Sequence, residues 1–259
     1  ERRLAGRRVV GAARLGRFLW MPLSPGGAAG TGDPAGEALV AHLGMSGQLL
    51  LPAPGAEDGR HLRVRVGLEH PEHGEMRVDF VDQRTFGSLA IDALVPTADG
   101  APAGWGSGEA LVPSQVAHIA RDPLDAAFDD RRLVSVLARK NSAIKRVLLD
   151  QTVISGVGNI YADEALWAAR IHPETAASAL PTRSVNRLLA EVRAVLNKAL
   201  VEGGTSFDAQ YVNVNGEAGY FAHSLNAYGR GGAPCPRCGG PIKRDSFMNR
   251  SSHFCPRCQ

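Results

Sequence analysis

Residues 150–167 read Asp150-Gln-Thr-Val-Ile-Ser-Gly156-Val-Gly158-Asn159-Ile-Tyr-Ala-Asp-Glu164-Ala-Leu-Trp167, a glycine-bracketed turn that runs into an apolar helical segment. Gly156 and Gly158 let the chain turn tightly. Asn159 can cap the helix that follows, and the helix start offers free backbone N–H groups to an anion. Gly-x-Gly alone is equally the mark of a turn with no ligand. Its setting favours the anion site: helices on both sides, a strand-rich half upstream and a cysteine-rich tail downstream.

Working outward from this turn, the flanks have helical periodicity from about Val116. Leu133, Val136 and Leu137, then Ile144, Val147 and Leu148, form an apolar stripe, while Arg131, Arg132, Arg139, Lys140, Lys145 and Arg146 take the other positions. Downstream, Val185, Leu188, Leu189, Val192, Val195, Leu196 and Leu200 follow the i, i+3, i+4, i+7 rule, and Gly203-Gly204 supplies the stop. Such stripes predict core. Residues 96–114, with Gly and Pro throughout, read as a loop or linker. Before them Val9–Leu23, Ala38–Leu51, His61–Leu68 and Met76–Leu89 are strand-like runs between turn-rich segments. In the third run Leu62, Val64, Val66 and Leu68 alternate with Arg63, Arg65 and Gly67, the period of a sheet with one buried face. An antiparallel sandwich or barrel is expected there.

All four cysteines lie in the last 25 residues, as Cys235-Pro-Arg-Cys238 and Cys255-Pro-Arg-Cys258 with sixteen residues between the pairs. Each C-x-x-C closes a tight turn that aims two thiolates at one tetrahedral ion, and the separation is that of a zinc ribbon. Two disulfides in a secreted protein would use the same four residues, but no other cysteine occurs in the chain. One structural zinc is the expectation, and with it a reducing, cytoplasmic compartment.

The 259 residues suit two domains with separate cores. A net charge of +3 says little, but its distribution is uneven: residues 1–17 carry six Arg against Glu1, and residues 230–259 carry six Lys or Arg against Asp245. Two basic ends around a mildly acidic middle suit a polyanion, because local field concentrates such a partner. An apolar content of 44% excludes a wholly disordered chain, and no run approaches the roughly 18 apolar residues of a membrane span. The start lacks both an initiator Met and a secretory signal, and Glu1-Arg-Arg reads like the middle of an element, which suggests a missing N-terminal segment.

His42-Leu-Gly-Met-Ser-Gly47, Asp82-Gln-Arg-Thr-Phe-Gly87, Gly156-Val-Gly-Asn-Ile-Tyr-Ala-Asp-Glu164, Gly219-Tyr-Phe221, Ala227-Tyr-Gly-Arg230 and the cysteine pairs follow one another along nearly the whole chain. In these six ordered blocks the sequence resembles the formamidopyrimidine-DNA glycosylase family, bacterial base-excision repair enzymes that remove oxidised purines. Gly203-Gly-Thr205 and Tyr228-Gly-Arg230 are more similar to the formamidopyrimidine branch than to the pyrimidine-preferring endonuclease branch. The resemblance implies an α+β fold. It begins with an antiparallel β-sandwich over residues 1–95, truncated at its start, then a linker over 96–114. An α-helical helix-two-turns-helix domain over 115–225 and a zinc ribbon over 226–259 complete it, with DNA in the cleft between the domains.

By the same resemblance, Met45, Arg84 and Phe86 enter the duplex where the damaged nucleotide leaves the stack, since a base must be extruded before it can be cut out. Asn159 and Arg250 contact phosphates, the latter through a guanidinium fork, and Lys140, Lys145 and His61 line the same backbone. For the two lysines a solvated helix face is the alternative. The lesion loop corresponds to Ser206–Glu217.

The departures matter as much as the matches. The family's nucleophile is an N-terminal proline followed by a glutamate, and neither is in this sequence. Arg17 stands where the family has a lysine thought to assist β-elimination, and Arg is a far poorer proton donor or acceptor. Asn141 also replaces a common lysine. The leading expectation is therefore a monomeric DNA glycosylase and AP lyase, with β,δ-elimination, acting on duplex DNA bearing an oxidised purine or abasic site, and inactive in the stretch given. Arg17 and Arg250 are its remaining catalytic candidates. A non-catalytic lesion- or DNA-binding protein is the alternative, and an unrelated zinc-ribbon protein of translation or transcription a weaker third.

Overall fold

The computed structural model describes residues 3–24, 36–53, 55–203 and 224–259. Gly204, the Gly219–Phe221 block and the expected lesion loop at 206–217 lie outside them. The described residues form two compact units that divide between Ala117 and His118.

The first unit is all antiparallel. A five-stranded sheet has the order β1 (Ala13–Leu15), β2 (Phe18–Leu23), β3 (Glu37–His42), β7 (Ser88–Pro96), β8 (Leu111–Pro113). A three-stranded sheet has the order β4 (Gly47–Leu50), β6 (Gly74–Asp82), β5 (Leu62–His70). Trp20, Leu39, Val40, Ala41, Val78 and Phe80 are buried, with Val40 paired to Trp20 on one side and Ala90 on the other. The alternation in β5 is present, but among the described residues β5 is an edge strand bonded only to β6, and Val64 stays 41% exposed.

Residues 96–114 are not a linker. β8 pairs with β7, Trp105 exchanges two backbone hydrogen bonds of 2.9 Å with Arg14, and a Cβ on Gly104 would lie 2.4 Å from the Trp20 ring. Their composition reads as loop because the partners that order them are distant in sequence.

In the second unit the first helix is α1 (Asp130–Leu137), later than the periodicity suggested, capped by Asp129, whose carboxylate accepts from the N–H groups of Arg131 and Arg132. It is followed by α2 (Ile144–Leu148), α3 (Asn159–Ala169) and α4 (Thr182–Val201). The expected stripes meet in one core with two exceptions: Val136 is only half-buried and Val134 packs on the core instead, and Leu200 is exposed while Ala199 takes the buried position. Gly203, at φ +71°, follows the end of α4 as anticipated.

α3 sits at the centre, with Ala162, Asp163, Glu164, Ala165, Leu166 and Ala169 all buried. The terminal ribbon is the hairpin β9 (Lys243–Phe247) and β10 (Arg250–Phe254), flanked by the two cysteine pairs. Glu164 ties the start of this segment to α3: its carboxylate accepts from the backbone N–H of Asn226 (2.8 Å), Ala227 (2.7 Å) and Tyr228 (2.8 Å). Glu164→Ala strands these donors and is expected to destabilise the unit by about 3 kcal/mol in chemical denaturation. A loss below about 1 kcal/mol would deny Glu164 this anchoring role.

Candidate nucleic-acid interface and zinc centre

In the first unit, the loops β3–β4 and β6–β7 lie against each other. Gly44, at φ +56°, permits this approach, since a Cβ there would fall 2.7 Å from the Phe86 carbonyl carbon. Buried Asp82 holds both loops: Oδ1 accepts from Ser46 Oγ (2.5 Å) and Arg84 N (3.2 Å), and Oδ2 from Gly87 N (2.8 Å). Burial opposes its ionisation, but the Ser46 hydroxyl and the backbone donors prevail and hold its carboxyl below the usual range.

On this base Met45 and Phe86 are 54% and 63% exposed, and Arg84 is exposed beside them. Arg17, in the β1–β2 turn, donates from Nη1 to the Gly44 carbonyl. The half-buried His61 accepts the Asp82 N–H at its carbonyl (2.9 Å). The structure thus gathers Arg17, Met45, His61, Arg84 and Phe86 around one pair of loops, and adds Asp82, which sequence reading passed over although it opens a quoted block. The basic N-terminal run is partly consumed internally, as Arg3 and Arg7 both pair with Glu37.

In the second unit Gly156 adopts φ +82°, and a Cβ there would meet Asp122 Oδ2 at 2.5 Å. Asn159 does not cap α3: Gly158 is the N-cap and makes no side-chain bond. Instead Asn159 Nδ2 donates to the Ser251 carbonyl (3.1 Å), and its Oδ1 is buried without a partner among the described residues. Arg250 is exposed at the start of β10, just past a turn in which Met248 holds φ +53°.

Lys140 is half-buried and pairs with Asp150 (3.3 Å). Lys145 departs from expectation. It lines no outer face, being fully buried, with Nζ 2.6 Å from Asp163 Oδ1 and 3.0 Å from the Ser251 carbonyl it donates to. Helical spacing put it among surface cations, yet the adjacent acids Asp163-Glu164 inside an apolar helix were the available sign of a buried partner.

The four cysteine Sγ atoms lie within 4.8 Å of one another, and Cys238 Sγ is 3.5 Å from Cys255 Sγ. Four Zn–S bonds of about 2.3 Å call for sulfurs roughly 3.8 Å apart, so the cage fits one tetrahedral zinc. Burial opposes ionisation of Cys235, but Trp167 Nε1–H (3.4 Å) and the N–H groups of Arg237 and Cys238 take its thiol down to about 6. Arg237 in turn lies over the Trp167 ring (4.2 Å) and donates to the carbonyls of Trp167 and Ala168 at the end of α3.

The described residues thus combine an antiparallel β-rich unit, a helical unit with a glycine turn, and a four-cysteine ribbon bearing an exposed arginine. Family models agree along the chain: the formamidopyrimidine-DNA glycosylase N-terminal domain matches residues 1–89, its H2TH domain 119–210, and the zinc finger found in FPG and IleRS 232–259. A formamidopyrimidine-DNA glycosylase of Leifsonia xyli is 63% identical over 259 residues, all of this chain and 84% of the relative, and one of a Nocardioides species is 55% identical over 99% and 78%. The crystal structure of the MutM (Fpg) protein of Thermus thermophilus matches with a TM-score of 0.74 and 33% identity over 98% of this chain and 84% of that one. The Lactococcus lactis Fpg in complex with abasic-site DNA matches with a TM-score of 0.76 and 27% identity over 100% and 84%. This chain belongs to the formamidopyrimidine-DNA glycosylase family.

Two outcomes follow. Cys238→Ser should abolish stoichiometric zinc, read by metal analysis, and expose residues 226–259 to limited proteolysis; full metal content would refute the four-cysteine site. Asp82→Ala should cost about 1–3 kcal/mol through stranded loop donors and increase amide exchange at Arg84 and Gly87. Unchanged exchange there would remove Asp82 from the loop's support.

Proposed function

We infer that the chain works in base-excision repair, as a DNA glycosylase with AP-lyase activity that takes oxidised purines such as 8-oxoguanine and formamidopyrimidines out of duplex DNA. One observation carries this most directly: two apolar side chains, Met45 and Phe86, stand exposed with Arg84 on loops locked by a buried carboxylate. Exposed apolar groups on a rigid base suit insertion into a stack, filling the gap left by an extruded nucleotide and offsetting part of the lost stacking.

The second unit would hold the backbone. Arg250 presents a planar fork suited to a phosphate, and Asn159 stands at the first turn of α3, where the helix dipole favours an anion. The zinc would be structural: held by Cys235, Cys238, Cys255 and Cys258, it closes the ribbon that carries Arg250 and takes no part in bond cleavage. The residues of this chain bind, extrude and orient. The family's proline amine, which would attack the sugar C1′, is not among the 259 residues. Arg17 is assigned to charge near the lesion rather than to proton transfer, for which a guanidinium is poorly suited. No helix among the described residues is long and apolar enough to cross a membrane. The four free thiols that would bind zinc suit a reducing compartment, and with DNA as the substrate we assign the protein to the cytoplasm, at the nucleoid.

The test compares binding to abasic-site and undamaged duplexes, and base release from an 8-oxoguanine duplex by the full-length polypeptide. Abasic DNA should bind at least about tenfold tighter, Phe86→Ala should erase most of that preference, and Arg250→Ala should weaken both duplexes and lower the salt slope by about 1. Equal affinity for the two duplexes would overturn lesion recognition. Lesion binding without base release would leave only the non-catalytic reading.

A further inference from the structure

We propose that Lys145 is a positioning residue for the phosphate grip of Arg250, acting from the interior on both strands of the ribbon hairpin. Its Nζ donates to the Ser251 carbonyl, next in the chain to Arg250, and lies 5.1 Å from the centroid of the buried Phe247 ring, the residue paired with Arg250 across the turn. The ammonium is itself fixed by Asp163 at 2.6 Å. Asp163 also accepts from the backbone N–H of His253 (2.9 Å) and from Ser252 Oγ (3.4 Å), so a single carboxylate orders the lysine and the strand together.

A two-stranded hairpin is not stable by itself, and the anchor beneath it sets where its tip points. Stability alone is a poor reason for this anchor to be ionic, because buried ion pairs are commonly no better than apolar residues of the same volume. Directionality is a better reason. An ammonium with three donors fixes a carbonyl, a carboxylate and a ring face at once, whereas a methyl group in its place would let the strand slide. The Ser251 carbonyl also accepts from Asn159 Nδ2, so the Lys145 contact sets the spacing between the two groups read as phosphate contacts.

The inference rests on the reading of Arg250 as a phosphate contact, and a double-mutant cycle separates the two. Lys145→Met with Asp163→Asn removes both charges while keeping an acceptor for the His253 N–H. Affinity for an abasic-site duplex is measured for this pair, for Arg250→Ala, and for the combination, with zinc content and melting temperature as controls on folding. If Lys145 positions Arg250, the pair loses about tenfold in affinity with zinc retained, and Arg250→Ala then costs far less than in the parent, a non-additivity of about tenfold. Additive losses would assign Lys145 to stability alone and overturn the proposal. If Arg250→Ala binds like the parent, the phosphate reading fails first and the proposal falls with it. Phe247→Leu, which spares the ion pair, should show the same coupling to Arg250 at about threefold, and additivity there would also overturn it should the charge-free pair not fold.

Discussion

Two adjacent carboxylates on a buried helix organise the C-terminal half of this protein. Asp163 and Glu164 lie in α3 among alanines and a leucine, where charge is costly unless every oxygen is engaged. Glu164 engages the backbone of residues 226–228, and Asp163 engages Lys145 and the backbone of β10. Successive residues on a helix point about 100° apart, so the pair reaches two different stretches of the terminal segment at once. The zinc cage is joined to the same helix through Trp167 and Arg237. The ribbon is thereby positioned by the helical core rather than by its own two strands. Burial pulls the members of the ion pair in opposite directions, pushing Asp163 up and Lys145 down, with their mutual attraction working against it in both cases.

The β-rich unit uses the same device at its own surface. Asp82, buried at the end of β6, accepts donors from both loops that carry Met45, Arg84 and Phe86. A buried acceptor below and glycines at the points of contact keep exposed apolar side chains from folding back into the core, the outcome the hydrophobic effect would otherwise favour. In each unit the residues expected to touch DNA are supported by a carboxylate that touches none.

The zinc ribbon, the helical stripes and the blocks around Met45, Arg84 and Asn159 were legible because each is local: cysteine spacing, a 3.6-residue period, glycines at tight turns. The errors have the opposite origin. Residues 96–114 read as linker because β7, Arg14 and Trp20, which order them, are far away in sequence. Lys145 read as a surface cation because its partner lies eighteen residues on, in another helix. Asn159 read as a cap because type and position fit, while the acceptor that claims its side chain comes from β10.

By itself, then, the sequence determined which chemistry is present: four thiolates for one metal ion, a glycine turn before a helix, and a planar cation between two apolar side chains on glycine-flanked loops. These follow from residue type and short-range spacing, which the chain carries wherever it goes. Only the tertiary structure decided which polar groups are spent inside and which remain for a ligand. That choice depends on burial, and burial is settled by contacts between residues tens of positions apart, such as Lys145 with Ser251 or Glu164 with Ala227.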